Sequence, residues 1–243
     1  MRHCMLRSRA HNLSSHNVRA FLQTARQQQL GDRKSFRMAA RIETYYDFRS
    51  PYAYFADRRI RKGSLGFPDN VEWIGRPIFI DVILNLQFGR EPWASFVDTL
   101  IPPKRAYLMA DIRRMAEFYG APYQPSWKWP SRPNQIPALC VASLLSGKTE
   151  ELFRSGVFDG LWHEQKDIAD AAILTDMVKR AGGDPRVVEQ ARDPSVHEML
   201  TQQTVEAYGR GVFGTPTFVW NGEIFFGADR LEVLAWKAAR AGN

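Results

Sequence analysis

The chain has 243 residues, 44% of them hydrophobic and 24% charged, enough apolar content for one sizeable core and too much for a disordered chain. Its formal net charge of +7 is no nucleic-acid signal, because residues 1–37 carry seven arginines and Lys34 against Asp32 alone, which leaves the remainder neutral and without bulk attraction to nucleic acids or anionic membranes. The two cysteines, Cys4 and Cys140, form no Cys-x-x-Cys pair, which argues against a disulfide framework or a thiolate zinc site and suits a reducing compartment.

Residues 1–38 read as a basic leader, expected to be poorly packed, with 18–29 able to form a loose helix. It has no apolar run long enough for a signal peptide or a membrane span. Being Arg-rich and acid-poor, it is similar to a mitochondrial transit peptide. The alternative is that Met38 is the start and the rest an upstream extension, which the folded pattern beginning directly after Met38 favours. The expected location is the cytoplasm, or the mitochondrion if the leader is a transit peptide. Three of the five histidines (His3, His11, His16) fall in the leader, apart from His163 and His197, so no metal cluster suggests itself.

Ile42–Phe48 is rich in β-branched and aromatic residues and reads as a strand. Pro51 suits the first position of a helix, since its missing N–H would be unpaired there anyway. Ser50 is then the N-cap, its hydroxyl beside free backbone N–H groups and the positive end of a helix dipole, where an anion such as a thiolate is favoured. A reactive Cys-x-x-Cys would fit this place, but Ser50-Pro51-Tyr52-Ala53 holds no sulfur, so any thiol must come from outside. The helix spans Pro51–Lys62 and ends at Gly63. A turn through Gly66–Asn70 leads to a short strand, Val71–Ile74, parallel to the first by a right-handed crossover.

Residues 78–88 are largely apolar, broken by Asp81, Asn85 and Gln87. Lys104–Tyr119 repeats apolar residues at three and four, as a helix does. Five prolines between 120 and 137, with Trp127 and Trp129 among them, predict a structured loop. Helical patterns follow at Ala138–Ser146, Glu150–Gln165, Asp170–Ala181, Pro185–Ala191 and Ser195–Arg210. Gly214-Thr215-Pro216-Thr217 then leads into Phe218–Trp220, the Asn221-Gly222 turn and Ile224–Phe226, a strong hairpin signal. Leu231–Ala239 is a last amphipathic helix. The order predicts an α/β protein, a thioredoxin fold split by an all-helical insertion, with residues 39–77 and 195–243 in the thioredoxin-like domain and 78–194 in the insertion.

Five motifs carry a further resemblance: Asp47-Phe48-Arg49-Ser50-Pro51-Tyr52, Pro103-Lys104-Arg105-Ala106-Tyr107, Asp167-Ile168, Gly211-Val212-Phe213-Gly214-Thr215-Pro216-Thr217 and Phe226-Gly227-Ala228-Asp229-Arg230-Leu231. Together they resemble the 2-hydroxychromene-2-carboxylate isomerase family, close to kappa-class glutathione transferases in the DsbA-like thioredoxin superfamily. The resemblance covers residues 41–241 and implies glutathione as cofactor. Ser50 matches the serine that bonds the glutathione sulfur. Thr215-Pro216 matches a cis-proline turn whose backbone pairs with the cysteinyl unit, as an added strand would. Asp229 matches the acid for the γ-glutamyl ammonium, and Lys104 a lysine near the glycine carboxylate and the substrate cleft. Tyr107 and Asn134 match positions facing a small aromatic acid substrate.

The implied reaction interconverts 2-hydroxychromene-2-carboxylate and trans-o-hydroxybenzylidenepyruvate, the glutathione thiolate adding and leaving again. Related enzymes are commonly dimers, so a homodimer is implied as well. Two departures stand out. Ala228 replaces the serine that kappa-class enzymes carry before the aspartate, and Arg49 stands where the family has a small or apolar residue. Arg49 is expected to point to solvent, with contact to an acidic substrate as the alternative. Trp127, Trp129 and Trp162 are expected in the core or lining the cleft. The same residues also suit a kappa-type transferase, in which glutathione leaves in the product, while a thioredoxin-fold binding module would retain the fold without the ligand. A disulfide oxidoreductase is disfavoured by the missing Cys-x-x-Cys.

Overall fold

The computed structural model of the protein describes residues 41–241, apart from 96, 98–99 and 126–131. The leader with Cys4 and three histidines, the helix expected at 18–29, and Trp127 and Trp129 lie outside the described residues.

Four strands form one sheet in the order β2-β1-β3-β4. Strand β1 (Arg41–Tyr46) is parallel to β2 (Glu72–Pro77) and antiparallel to β3 (Thr217–Trp220), and β3 is antiparallel to β4 (Glu223–Phe226). Helix α1 (Pro51–Arg61) connects β1 to β2. The β1–β3 pairing sets Tyr45 opposite Thr217, so the carboxyl end of β1 meets the amino end of β3. That register brings the serine turn beside the Thr215–Pro216 bond.

Strand β2 runs three residues past the predicted Ile74. Glycine and proline are poor strand formers, which ended the prediction early. Here Pro77 closes an edge strand, and Gly75 leaves the space that the Glu150 carboxylate fills; a Cβ on Gly75 would lie 2.2 Å from it.

Between β2 and β3 the chain forms α2 (Ile80–Gln87), α3 (Pro102–Tyr119), α4 (Ile136–Ser143), α5 (Gly147–Trp162), α6 (Ala171–Arg180), the single turn α7 (Val187–Gln190) and α8 (Pro194–Gly209). The polar residues that break the 78–88 run have work there. Asn85 is buried and donates to the carbonyls of Pro92 and Ala94 at 2.9 Å each, holding the following loop. Helix α5 stops at Trp162 rather than the expected Gln165, because His163 takes φ −126° and Gln165 φ 59°, both outside the helical region. A 3₁₀ turn (Ala228–Arg230) and α9 (Leu231–Ala241) complete the described chain. The observed order is the predicted α/β sheet with a helical insertion.

The main core lies on one face of the sheet, where Ile42, Tyr46 and Phe48 meet Tyr54 and Phe55 of α1 and Phe153, Phe158 and Trp162 of α5. Trp162 is a core residue, stacked on Tyr54 and donating from Nε1 to the Phe48 carbonyl at 2.9 Å. The opposite face carries a smaller cluster, in which Tyr45 and Ile78 meet Ile83 of α2 and Ala207 of α8. This alternation of Tyr45 and Tyr46 follows from the two-residue period of a strand. A buried ionic network also ties α5 to α1 and β1. Arg154 pairs with Glu150 at 2.9 Å and Asp57 at 3.1 Å, and the Tyr46 hydroxyl donates to Glu150 at 2.7 Å. Among the described residues, no helix is long and apolar enough to cross a membrane.

Candidate active site

Ser50 is the N-cap of α1, with φ −84° and ψ 111°, and Pro51 follows as the first helical residue. The Ser50 Oγ accepts from the Ala53 N–H at 3.2 Å and donates to the Thr215 carbonyl at 3.1 Å. The Thr215–Pro216 bond is cis. Thus the serine hydroxyl, the N-terminus of a helix and the Thr215 carbonyl that precedes the cis proline converge at one end of the sheet. Such a place favours an anion: the helix supplies partial positive charge, and the hydroxyl can turn its proton from the carbonyl to a bound sulfur. Ser50 is half-buried and Thr215 buried, and Thr215 precedes β3, whose own backbone is paired on both sides by β1 and β4.

The aspartate loop is tied to the same turn. The Gly227 N–H donates to the Pro216 carbonyl at 2.9 Å. Gly227 takes φ 107°, and a Cβ there would lie 2.5 Å from Asp229 Oδ1, so glycine is required both by the backbone and by the carboxylate folded over it. Asp229 is exposed and pairs with Arg230 at 2.8 Å. Arg59, from α1, anchors the loop from beneath by donating to the Ala228 carbonyl at 2.5 Å and pairing with Glu232.

Helix α3 crosses α1 at this end. Lys104 and Tyr107 lie one turn apart near its start, both exposed. The contact is made by Tyr52, whose hydroxyl donates to Asp111 at 2.9 Å. Burial pushes the Tyr52 phenol well above its usual value, the Asp111 bond adds to this, and Tyr107 and Asp229 contribute further. Tyr52 therefore sits between the lysine helix and the aspartate loop. The sequence reading placed Tyr52 in a motif without giving it a role.

Asn134 is exposed and its Oδ1 accepts from the Ile136 N–H at 3.1 Å, at the start of α4. Its neighbour Gln135, unremarked in the sequence, is buried and bonded into the serine turn. Gln135 Oε1 accepts from the Arg49 N–H at 3.1 Å, and its Nε2 donates to Asp47 Oδ2 at 2.5 Å. Asp47 also accepts from the N–H of Arg49 at 2.9 Å and of Ile80 at 3.0 Å. Burial raises the Asp47 carboxyl to about 6, against the opposing pull of the Arg49 charge.

The expectation that Arg49 points to solvent is corrected. Its side chain is 12% exposed and pairs with Asp81, which also accepts from Arg132 at 2.7 Å. An arginine at this position is compatible with the fold because α2 supplies Asp81, a partner 32 residues away that local reading could not connect to it.

Two surface depressions lie elsewhere, one of about 310 Å³ between α4, α6 and α7 and a shallower one along α7 and the start of α8. Neither is lined by Ser50, Thr215 or Asp229. Among the described residues, no cluster of His, Cys, Asp and Glu could hold a metal ion.

A family model described as the DSBA-like thioredoxin domain matches residues 41–238. The chain is 28% identical over 204 residues to a 2-hydroxychromene-2-carboxylate isomerase of Sphingobium xenophagum, covering 81% of this chain and 97% of that protein. It is 23% identical over 209 residues to glutathione S-transferase kappa 1 of Caenorhabditis elegans, covering 80% and 89%. Among solved structures, a 2-hydroxychromene-2-carboxylate isomerase superposes with a TM-score of 0.67 at 24% identity, over 83% of this chain and 95% of that one. The resemblance read from the motifs is borne out.

Proposed function

This chain belongs to the DSBA-like thioredoxin domain family, and we propose that it is a glutathione-dependent isomerase acting on 2-hydroxychromene-2-carboxylate or a closely similar aromatic acid. The observation that carries the reading is the Ser50 hydroxyl at 3.1 Å from the carbonyl of the cis Thr215–Pro216 bond, at the N-terminus of α1. A protein of this fold that used its own cysteines would have sulfur here, and this one has a hydroxyl donor instead. When bound, glutathione supplies the nucleophilic thiolate. Ser50 and the α1 N-terminus hold that negative charge, and the Thr215 backbone aligns the cysteinyl unit. Asp229 receives the γ-glutamyl ammonium, without a neighbouring serine hydroxyl because position 228 is alanine. Lys104, Tyr107 and Asn134 orient the acid substrate. The relatives named for isomerase activity support this choice of reaction.

The similarity to a kappa-class transferase favours a second reading of the same site. Supplying 2-hydroxychromene-2-carboxylate with and without glutathione separates the two. The isomerase converts it only when glutathione is present and leaves the glutathione pool undiminished. A transferase consumes glutathione into the product of an electrophile, and a binding module does neither.

A further inference from the structure

The Ser50 turn is not held by the thioredoxin-like part alone. The peptide N–H of Arg49, immediately before the serine, is shared between Asp47 Oδ1 at 2.9 Å and Gln135 Oε1 at 3.1 Å. Gln135 is the residue that opens α4, so this bond comes from the inserted helices. Its other atom, Nε2, donates to Asp47 Oδ2, which also takes the Ile80 N–H at the start of α2. Asp47 and Gln135 are both fully enclosed, at 0% and 3% exposure. The charged groups facing Asp47 are the Arg49 guanidinium and Asp81, and Arg132 reaches the latter from the loop before α4. A buried carboxylate with three donors is built to stay in one arrangement.

We propose that Gln135 and Asp47 are positioning residues that couple the inserted helices to the Ser50 site, holding the peptide before the serine so that its hydroxyl stands at the α1 N-terminus. This deepens, and as a functional statement rests on, the glutathione reading above. A ligand seated against the 132–135 loop pushes on Gln135, and through it on the serine turn. The acid substrate and the thiolate are thereby linked through one amide side chain. Without that amide the Arg49 N–H loses one of its two acceptors and Asp47 one of its three donors. The turn loosens and a thiolate at position 50 is less well held.

A cysteine at position 50 reports this without any glutathione. In a full-length Ser50→Cys chain also carrying Cys4→Ser, the remaining thiol, Cys140, is buried and pushed up to about 11, so alkylation by iodoacetamide across pH reads the position-50 thiolate. Adding Gln135→Ala is expected to slow alkylation at neutral pH about threefold or more by raising that thiol's pKa. Gln135→Glu, of nearly the same size, is expected to act in the same direction and serves if the alanine variant does not fold. Leu139→Ala, a core change one turn along the same helix that leaves the Gln135 amide side chain in place, is expected to leave the alkylation profile unchanged while lowering the melting temperature. An unchanged profile in both Gln135 variants, or an equal shift in Leu139→Ala, overturns the coupling. Glutathione calorimetry on the unmutated chain is scored separately, so failure of the ligand and failure of the coupling are distinguished.

Discussion

Ser50 and Thr215 are 165 residues apart in the chain, yet the serine hydroxyl donates to the threonine carbonyl at 3.1 Å. The antiparallel register of β1 and β3 makes this contact, and it joins a helix N-terminus to a cis-proline turn. Replacing Ser50 by alanine removes both the α1 cap and the sulfur donor. The cap loss is expected to cost about 1 kcal/mol, read as a lowered urea midpoint. The ultraviolet thiolate band of bound glutathione weakens in the same variant. A variant with the stability loss but a full thiolate band would make Ser50 a cap and nothing more.

Asp229 is exposed, and its ion pair with Arg230 lies at the surface. Such pairs contribute little to stability. Asp229→Ala is therefore expected to leave the melting temperature nearly unchanged while weakening glutathione about tenfold, the loss of one charged contact to the ligand ammonium. Calorimetry beside a thermal melt checks both halves. Equal affinity in the variant removes Asp229 from the site.

Asp47 carries a pH signature. Its folded pKa is about 6, above the ordinary 3.8, so the folded state holds the proton more tightly than the unfolded one. Its contribution to stability is fully present below the unfolded value and is lost as pH rises through the folded value. The whole effect is on the order of 3 kcal/mol. Urea midpoints from pH 4 to 7 are expected to fall more in the parent protein than in Asp47→Asn. Parallel curves would show that Asp47 is ionised throughout this range.

Gly75 faces the Glu150 carboxylate so closely that an added methyl would lie 2.2 Å away. Glu150 in turn holds Arg154 at 2.9 Å and accepts the Tyr46 hydroxyl at 2.7 Å, all buried. Gly75→Ala displaces one member of a buried ionic network and is expected to cost about 3 kcal/mol. Glycine tolerates no such penalty at Gly63, where nothing lies within 4 Å of an added Cβ; its φ of 66° makes that substitution a matter of backbone strain instead. A loss under about 1 kcal/mol at Gly75 would mean that the network relaxes freely.

Local signals made the strands, the serine cap and the hairpin legible in the sequence. Ser50-Pro51 announces a helix start by the chemistry of two adjacent residues, and Asn221-Gly222 announces its turn the same way, with Asn221 at φ 50° and Gly222 at φ 79°. The extension of β2 through Gly75 and Pro77 was hidden, because those residues answer to Glu150 and to an edge position rather than to strand propensity. Asp47 and Gln135 were hidden for a similar reason. Each looks like an ordinary polar residue until the 88-residue separation between them is folded away. Arg49 misled for want of Asp81. What sequence reading lacked was pairing at long range, which sets the burial of a charge and cannot be read from its neighbours.

Glutathione titrated by calorimetry into the protein and its Ser50→Ala variant, with the ultraviolet thiolate band followed in parallel, tests the central claim most directly. Saturable binding with a thiolate signal that weakens in the variant is the predicted result. No binding at millimolar glutathione would contradict it and leave a thioredoxin-fold binding module in its place.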